Sequence, residues 1–391
     1  MNAFTAIDVE NGTAAAPEPG RASAAEFLRL DAITPALAAE WDDLAADAAE
    51  PNAFTQRWFV AASTPLADAS VRLLAVREGG ELIGLLPLAQ SRRYGRLPVR
   101  HVQNWQHFHS FLGGPLLRHS REVAAWTALL AALDTDPHAR GLLHLTGLVE
   151  YGSVHTALLA AANRPCDTVH RIERALLHSD LDPDAYYATT VRKKKRKEIG
   201  RLQSRLTELG AVETRRLSPG DDLDGWIDTF LALEKSGWKG RVGSALACQP
   251  NTARFFRAAL HGAHAAGNLE LLRLDVADRP IAILVNFVTS PGSFSFKTAF
   301  DEDFARYSPG VLVQLANLQI LNRDDIAWMD SCAAQDHPMI DSLWGQRRAI
   351  VRVTLPLAGW RSRALFHAAR ATERAAAALK ARRCPVPESG A

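Results

Sequence analysis

The sequence predicts a mixed α/β protein of two similar halves with a helical tail, on three observations. Two pairs of apolar runs read as β-hairpins: VRLLAVRE with ELIGLLPLA across Gly79-Gly80, and LELLRLDV with PIAILVNFV. Each pair comes after helical segments and precedes the same order of strand, helix, strand, helix and strand. A hairpin succeeded by a β-α-β crossover makes a sheet that is antiparallel on one side and parallel on the other. With 391 residues, 47% of them hydrophobic, the chain is long enough for two or three cores.

Residues 1–24 are rich in Ala, Pro, Glu and Gly without a hydrophobic period and read as a disordered leader. The first half is expected over 25–180. Thr34-Pro35 signals a helix start, with Leu37, Trp41 and Leu44 at helical spacing after it. A short helix over 56–62, the first hairpin and an extended FLGGPLL come next. A helix over 122–133, the strand GLLHLT, a short helix over 154–162 and a strand over 168–176 close this half.

The second half, 181–358, opens on a basic helix over 192–209 and a strand over 212–216. Helices over 223–234 and 252–266 precede the second hairpin, the latter stopped by Gly267. The strand SFSFKTAF, a helix over 309–321, the strand IAWMDSC, a short helix over 339–343 and the strand AIVRVTLP complete it. Each half is expected to hold its own sheet, with ligands at the strand ends where the parallel pair splays. Residues 359–391 are expected to form an Ala/Arg-rich helical or disordered tail (Arg361, Arg363, Arg370, Arg374) that ends at Pro385 and Pro387.

Lys+Arg 45 against Asp+Glu 43 leaves a formal charge of +2, which argues against bulk affinity for nucleic acid or membrane and leaves room for a local patch. Cys166, Cys248, Cys332 and Cys384 form no CxxC pair, so neither a structural zinc site nor a disulfide scaffold is expected. There is no apolar run of about 18 residues, as a membrane helix needs, and MNAFTAIDVENG lacks the charged and apolar regions of a secretory signal. These features predict a cytoplasmic protein with no metal, no DNA partner and at most a peripheral contact with other machinery.

Several residue groups stand out. Lys194, Lys197, Arg201 and Arg205 fall on one stripe of the basic helix, about a quarter-turn from Ile199, Leu202, Leu206 and Leu209. Such a stripe suits the phosphates of a ligand, an anionic polysaccharide or lipid-linked sugar phosphate, or RNA, or is simply a solvated face. Gly237-Trp238-Lys239-Gly240-Arg241 reads as a Gly-rich loop able to hinge over a cleft, with Lys239 and Arg241 for a phosphate or carboxylate. Asp330-Ser331-Cys332 ends a strand and Asp336-His337 stands in the next loop, an arrangement suited to taking a proton from a nucleophile. Cys332 is also a candidate covalent nucleophile, against the inertness of most strand cysteines. His101, His107 and His109 around Trp105 lack the carboxylates of a metal tract and read as contacts of a ligand groove. Ser308-Pro309-Gly310 reads as a capped helix start whose N–H groups and dipole face an anion, or as an ordinary cap.

The strings GWKGRVGSAL, FKTAFDEDFARYSPGVLV and DSCAAQDHPMIDSLW together resemble the CelD-type acetyltransferase family of the GNAT superfamily, which is related to the Fem-type aminoacyltransferases. The likeness spans about 186–355 and extends to the first half through GELIGLLPLAQSRRYG and FLGGPLL. It implies tandem GNAT-like domains that move an acyl group from acetyl-CoA or a longer acyl-CoA to an amine or hydroxyl of a small-molecule or glycan-precursor acceptor. By the same resemblance, Ser308, Gly310, Val311 and Lys297 would meet the donor, and Tyr307 would return a proton to the departing thiolate. His337, Asp336 and Asp330 would handle the acceptor's proton. Lys239, Trp238, Arg241, Lys194, Lys197 and Arg201 would hold substrate. The standard pyrophosphate loop of GNAT enzymes is replaced here by Arg306-Tyr307-Ser308-Pro309-Gly310-Val311-Leu312, with a single glycine. Two other readings stand beside this one: a Fem-like transferase fed by aminoacyl-tRNA, and a non-catalytic binding module of envelope polysaccharide assembly.

Overall fold

Gly79 and Gly80 take φ of 60° and 90°, the left-handed conformation a two-residue hairpin turn requires. They join β2 (Arg72–Glu78) to β3 (Glu81–Ser91), with Glu78 opposite Glu81. The computed structural model describes residues 23–383. Most of the expected leader lies outside them, as do Cys384, Pro385 and Pro387. Ser23 and Ala24 already belong to β1 (Ser23–Arg29), an edge strand that the residue pattern does not announce.

Around this hairpin the first half adds α1 (Pro35–Ala46), α2 (Arg57–Ala62), β4 (His101–Asn104), β5 (Leu116–Leu117), α3 (Glu122–Thr135), β6 (Leu142–Val149), α4 (Ser153–Ala161) and β7 (Asp167–Leu177). Thr34 caps α1, its hydroxyl accepting from Leu37 N at 3.2 Å. The second half begins with α5 (Pro183–Thr190), not expected from the sequence, and α6 (Lys193–Thr207). It continues through β8 (Val212–Arg216), α7 (Leu223–Ser236), α8 (Trp238–Arg241), α9 (Pro250–Ala265), β9 (Leu269–Val276), β10 (Arg279–Thr289) and β11 (Gly292–Phe300). α10 (Pro309–Asn317), β12 (Trp328–Asp330), α11 (Pro338–Asp341), β13 (Gln346–Pro356) and the tail helix α12 (Trp360–Arg383) complete the chain.

The order of elements leads to an expectation of one sheet per half. Instead, the halves share one 13-stranded sheet in the order β1-β2-β3-β4-β6-β13-β7-β12-β11-β10-β9-β8, with β5 on β3. The last strands have been exchanged: β13 lies between β6 and β7, and β7 pairs on to β12. Alternation explains why β13 tolerates this central place. Val351, Val353 and Leu355 enter the core under α3 and α4, while Ile350 enters the core on the other face. Side-chain alternation fixes which face a strand buries, not which strand it pairs with, so the exchange leaves no mark in the pattern.

Each half has one parallel pair, β4 with β6 and β11 with β12. α3 and α10 pack on one face of the sheet, and α2, α7 and α9 on the other. On that second face the cores are continuous. Trp58 and Phe59 of α2 meet Phe287 and Phe255 at ring distances of 4.8 and 5.4 Å, and Phe54 meets Phe294 at 5.3 Å.

Candidate active site at the junction of the halves

The two parallel pairs end differently. In the first half, Asn104 bridges the splay: its Nδ2 donates to Thr146 O at 3.0 Å and its Oδ1 accepts from Thr146 N at 2.7 Å. Gly113 N then donates to Gly147 O at 2.8 Å. A Cβ on Gly113 would lie 2.0 Å from Thr146 O, so only glycine lets the FLGGPLL segment enter here. That splay is filled by the chain itself. In the second half, β11 and β12 pair only over 292–294 and 328–330. Beyond this, among the described residues, no backbone hydrogen bond joins 295–297 to 331–333.

At the opening of this second splay β11 carries a bulge. Ser295 lies opposite Asn286 and Lys297 opposite Val285, leaving Phe296 as the extra residue. The bulge turns Lys297 to the face of Phe294 and Phe296, whereas strict alternation would send it to the face of α10. Its Nζ stands 5.2 Å from the Phe296 ring and 5.5 Å from the ring of Phe111, which belongs to the first half. Burial, with repulsion from Lys239, pulls the Lys297 ammonium down to about 8, against the opposing pull of Glu234. The segment 107–111 that supplies Phe111 also supplies two imidazoles. His107 Nε2 lies 2.8 Å from Ser63 Oγ, and the His109 ring stacks on Phe255 at 5.5 Å. Burial and then Lys297 lower them to about 4 and about 3, so both are neutral at pH 7. His109 Nδ1 is buried without a hydrogen-bond partner.

From this point a groove of about 730 Å³ crosses the sheet between the halves. One end is formed by Cys332, Ala333 and Ala334, the floor by Thr146, Ile350 and Arg352, and the far end by Tyr94. His101 lines it as well, close to His144, whose burial pulls it down to about 4. Among the described residues no group of three His, Cys, Asp or Glu side chains is placed to hold a metal.

The strand end read as an acid–base site is an internal clamp. Asp330 is fully buried; Arg174 Nε and Nη2 lie 2.6 and 2.8 Å from its two oxygens, and Arg348 Nη1 lies 3.3 Å from Oδ2. Arg174 also donates to Phe111 O at 2.7 Å, which anchors the intruding segment. With both oxygens committed, Asp330 has no lone pair facing the groove. Cys332 N donates to Asp330 Oδ1 at 2.9 Å, and burial pushes the Cys332 thiol well above its ordinary value. Asp336 is exposed at φ 58°, and Gln335 Nε2 donates to its Oδ2 at 3.4 Å. His337 heads α11 and leaves its Nδ1 buried without a partner.

The expected donor end is on the opposite face. Tyr307 is buried with Val311 and Leu312, and Arg306 stacks on its ring at 4.8 Å. Ser308 does not cap α10: it adopts a left-handed conformation (φ 54°) and its hydroxyl bonds no helix amide. Its carbonyl instead accepts from Val311 N at 2.9 Å and Leu312 N at 3.2 Å. Pro309 has no N–H, so the Gly310 amide alone is left of the usual first-turn donors. Gly310 lies under Met339, whose Sδ would be 3.2 Å from an added Cβ.

The Gly-rich stretch expected as a loop is the short helix α8. A Cβ on Gly240 would fall 1.7 Å from Lys235 O. Glu302 holds α8, accepting from Trp238 N and pairing with Arg241 at 2.7 Å. Lys239 pairs with buried Glu234 at 2.8 Å, and Trp238 is 54% exposed. On α6, Ile199, Leu202 and Leu206 are buried and Lys194, Lys197, Arg201 and Arg205 exposed, as the stripe predicts, although Leu209 is exposed too. α6 packs against the turn that leads into α10, so its cations belong to the Tyr307 side and are not brought to Lys297. Arg174 and Phe111 take roles that no motif marks. The available hint is an arginine at a core-facing phase of β7, in HRIERALL.

No curated protein matches the sequence. Residues 193–338 match the family described as acetyltransferase (GNAT) domain. Among solved structures the chain is similar to FemX, at 12% identity and a TM-score of 0.57, with 84% of this chain and 96% of that one covered. It is also similar to the C-terminal domain of a putative lysylphosphatidylglycerol synthetase from Agrobacterium fabrum, at 12% identity and a TM-score of 0.52, covering 86% and 95%. A Bacteroides thetaiotaomicron protein of unknown function matches at 12% identity and a TM-score of 0.51, covering 81% and 97%. Residues 193–338, which match a GNAT acetyltransferase domain, are thus set in a mixed sheet whose fold is similar to that of FemX.

Proposed function

We propose that the chain is an acyltransferase with one reaction centre, at the open splay beside Lys297, and with its acceptor seated in the groove between the halves. The observation that carries this reading is the contrast between the splays: one is sewn shut by Asn104 and Gly113, the other is open next to a desolvated lysine. When a nucleophile attacks an activated acyl carbonyl, negative charge gathers on the carbonyl oxygen. An ammonium already stripped of water stabilises that charge without reorganisation. The nucleophile's proton needs an acceptor, and the neutral imidazole of His109, placed with Lys297, supplies one; collapse of the adduct then breaks the bond to the donor, whose departing thiolate takes that proton and leaves as the free thiol. His337, beside Asp336, is the second proposed acceptor, on the loop that leaves the groove at Ala334.

The GWKGRVGSAL, FKTAFDEDFARYSPGVLV and DSCAAQDHPMIDSLW strings support placing the chain with CelD-type members of the superfamily. On that reading the donor is acetyl-CoA or a longer acyl-CoA, and the acceptor an amine or hydroxyl of a glycan or cell-envelope precursor in the cytoplasm. The donor would approach along α10, with Lys194, Lys197 and Arg201 near its phosphates. Residues 25–180 would present the acceptor and 181–358 the donor, with β7 and β13 shared.

A second reading, aminoacyl-tRNA as donor, is favoured by one specific observation. The α10 turn offers a pyrophosphate few free amides, while exposed cations of α6 flank the same turn. Thermal shift separates them: acyl-CoA should raise the melting point under the first reading, and a charged tRNA, with steep salt dependence, under the second.

A further inference from the structure

Three segments distant in sequence meet beyond the Tyr94 end of the groove: the loop between β3 and β4, the turn before β6, and the start of α12. Between them lies a cavity of about 650 Å³ walled by Val99, Leu357 and Leu365 and rimmed by Arg100, Arg140 and Arg361. Trp360 stands over it, 74% exposed, with the Arg361 guanidinium 5.4 Å from its ring. Arg92, Arg93, Arg96 and Arg363 are exposed on the same three segments. The carboxylates nearby are already taken: Asp134 pairs with Arg164 at 2.6 Å and Glu373 with Arg370. Asp68, hydrogen-bonded to Ser70, is the exposed acid that lines the neighbouring hollow with Arg92, Arg100 and Arg140.

We infer that this face docks on an anionic membrane. Seven exposed guanidiniums without a carboxylate partner among the described residues make a strong local positive field on a chain whose net charge is only +2. Guanidiniums bind phosphate oxygens through paired N–H groups, and an indole favours the headgroup layer, where its apolar ring and its N–H are both satisfied. An apolar cavity ringed by arginines matches an amphiphile with a phosphate head. Single-stranded nucleic acid would instead call for several interleaved aromatics, and Trp360 stands alone. The groove opens beside this face through Arg93 and Tyr94, so an acceptor carried on a lipid reaches the groove without leaving the bilayer surface. The docking itself does not depend on the acyl-transfer reading.

The test is co-sedimentation of the full chain with vesicles of phosphatidylcholine alone and of phosphatidylcholine mixed with phosphatidylglycerol. Binding is expected only to the mixed vesicles and should weaken with salt. Each basic residue at an anionic surface contributes about fivefold, so Arg100→Glu, Arg140→Glu and Arg361→Glu combined should weaken binding at least ~100-fold. Trp360→Ser should weaken it while leaving the salt dependence in place. Lys194→Glu with Arg201→Glu, on α6, should leave vesicle binding unchanged, and free glycerol phosphate should not compete with the vesicles. All these positions are exposed, and an unchanged melting point confirms the fold of each variant. Equal binding to both vesicles, full binding by the folded triple variant, loss through the α6 pair instead, or displacement by glycerol phosphate or by an oligonucleotide would each overturn the proposal.

Discussion

The Lys297 ammonium lies 5.5 Å from the centroid of the Phe111 ring, so a side chain of the first half roofs the desolvated cation of the second. Phe111 is held there by its own carbonyl, which accepts from Arg174, and Arg174 in turn grips Asp330. The site is therefore a joint product of both halves. The exchange of β7 and β13 fixes the halves against each other and so fixes this roof.

Lys297 should cost stability in a pH-dependent way. Its folded value of about 8 lies below the ordinary 10.5. Below about pH 8 both states are protonated and the fold bears the whole cost of the desolvated charge. Between the two values the unfolded chain holds more protons, so stability rises with pH and the cost disappears. Lys297→Met should accordingly raise stability at pH 7 by on the order of 1–3 kcal/mol, with the gain largely gone by pH 10. Denaturant titrations at the two pH values check this; an equal gain at both would remove the charge from the explanation.

Asp330→Asn should destabilise the protein by about 3–5 kcal/mol, because two buried guanidiniums lose their counter-charge. Urea unfolding reads this directly. A variant that keeps full stability but loses turnover would restore Asp330 as an acid–base group.

Gly113→Ala should cost about 1–3 kcal/mol or more, since its Cβ meets a backbone oxygen that cannot move aside. Gly310→Ala should be nearly neutral, because its Cβ meets the flexible end of Met339. Melting points of the pair test whether the first splay is sealed and the α10 turn tolerant.

The two imidazoles should separate in turnover. His109→Gln is expected to lower it by about 10²–10⁴-fold with donor binding intact, and to remove a limb of the pH–rate profile. His337→Gln should lower it by less than about tenfold. The reverse order would move proton handling to the loop that carries Asp336 and His337.

Much of the fold is legible in the sequence because periodicity and turn chemistry are local. The Gly79-Gly80 hairpin, the capped α1 and the amphipathic α6 all arise from residues within a few positions of each other. What is not legible depends on pairing across the chain. β13 reads as a strand, yet its place between β6 and β7 is set by pairings with strands of the first half, far away in sequence. Resemblance points to Lys297 as a donor contact, but its orientation depends on a one-residue bulge opposite Asn286 that alternation cannot reveal. Asp330 reads as reactive because a strand-end carboxylate often is; Arg174, 156 positions away in sequence, neutralises it. Ser308 reads as a cap by its type and place, and the left-handed turn before Pro309 removes that role.

The most direct test of a single centre at the open splay is donor binding to wild type and to Ala334→Trp, an exposed position on the groove wall beside Cys332. The melting point should be measured with acetyl-CoA, a longer acyl-CoA and an aminoacyl-tRNA. With one centre at this splay, at least one donor stabilises the wild type, and Ala334→Trp, folded and with an unchanged melting point on its own, loses that stabilisation, because the donor's acyl end has to reach Lys297 through the splay that the indole would fill. A donor that stabilises both proteins equally, or the absence of any shift with all three, would contradict it.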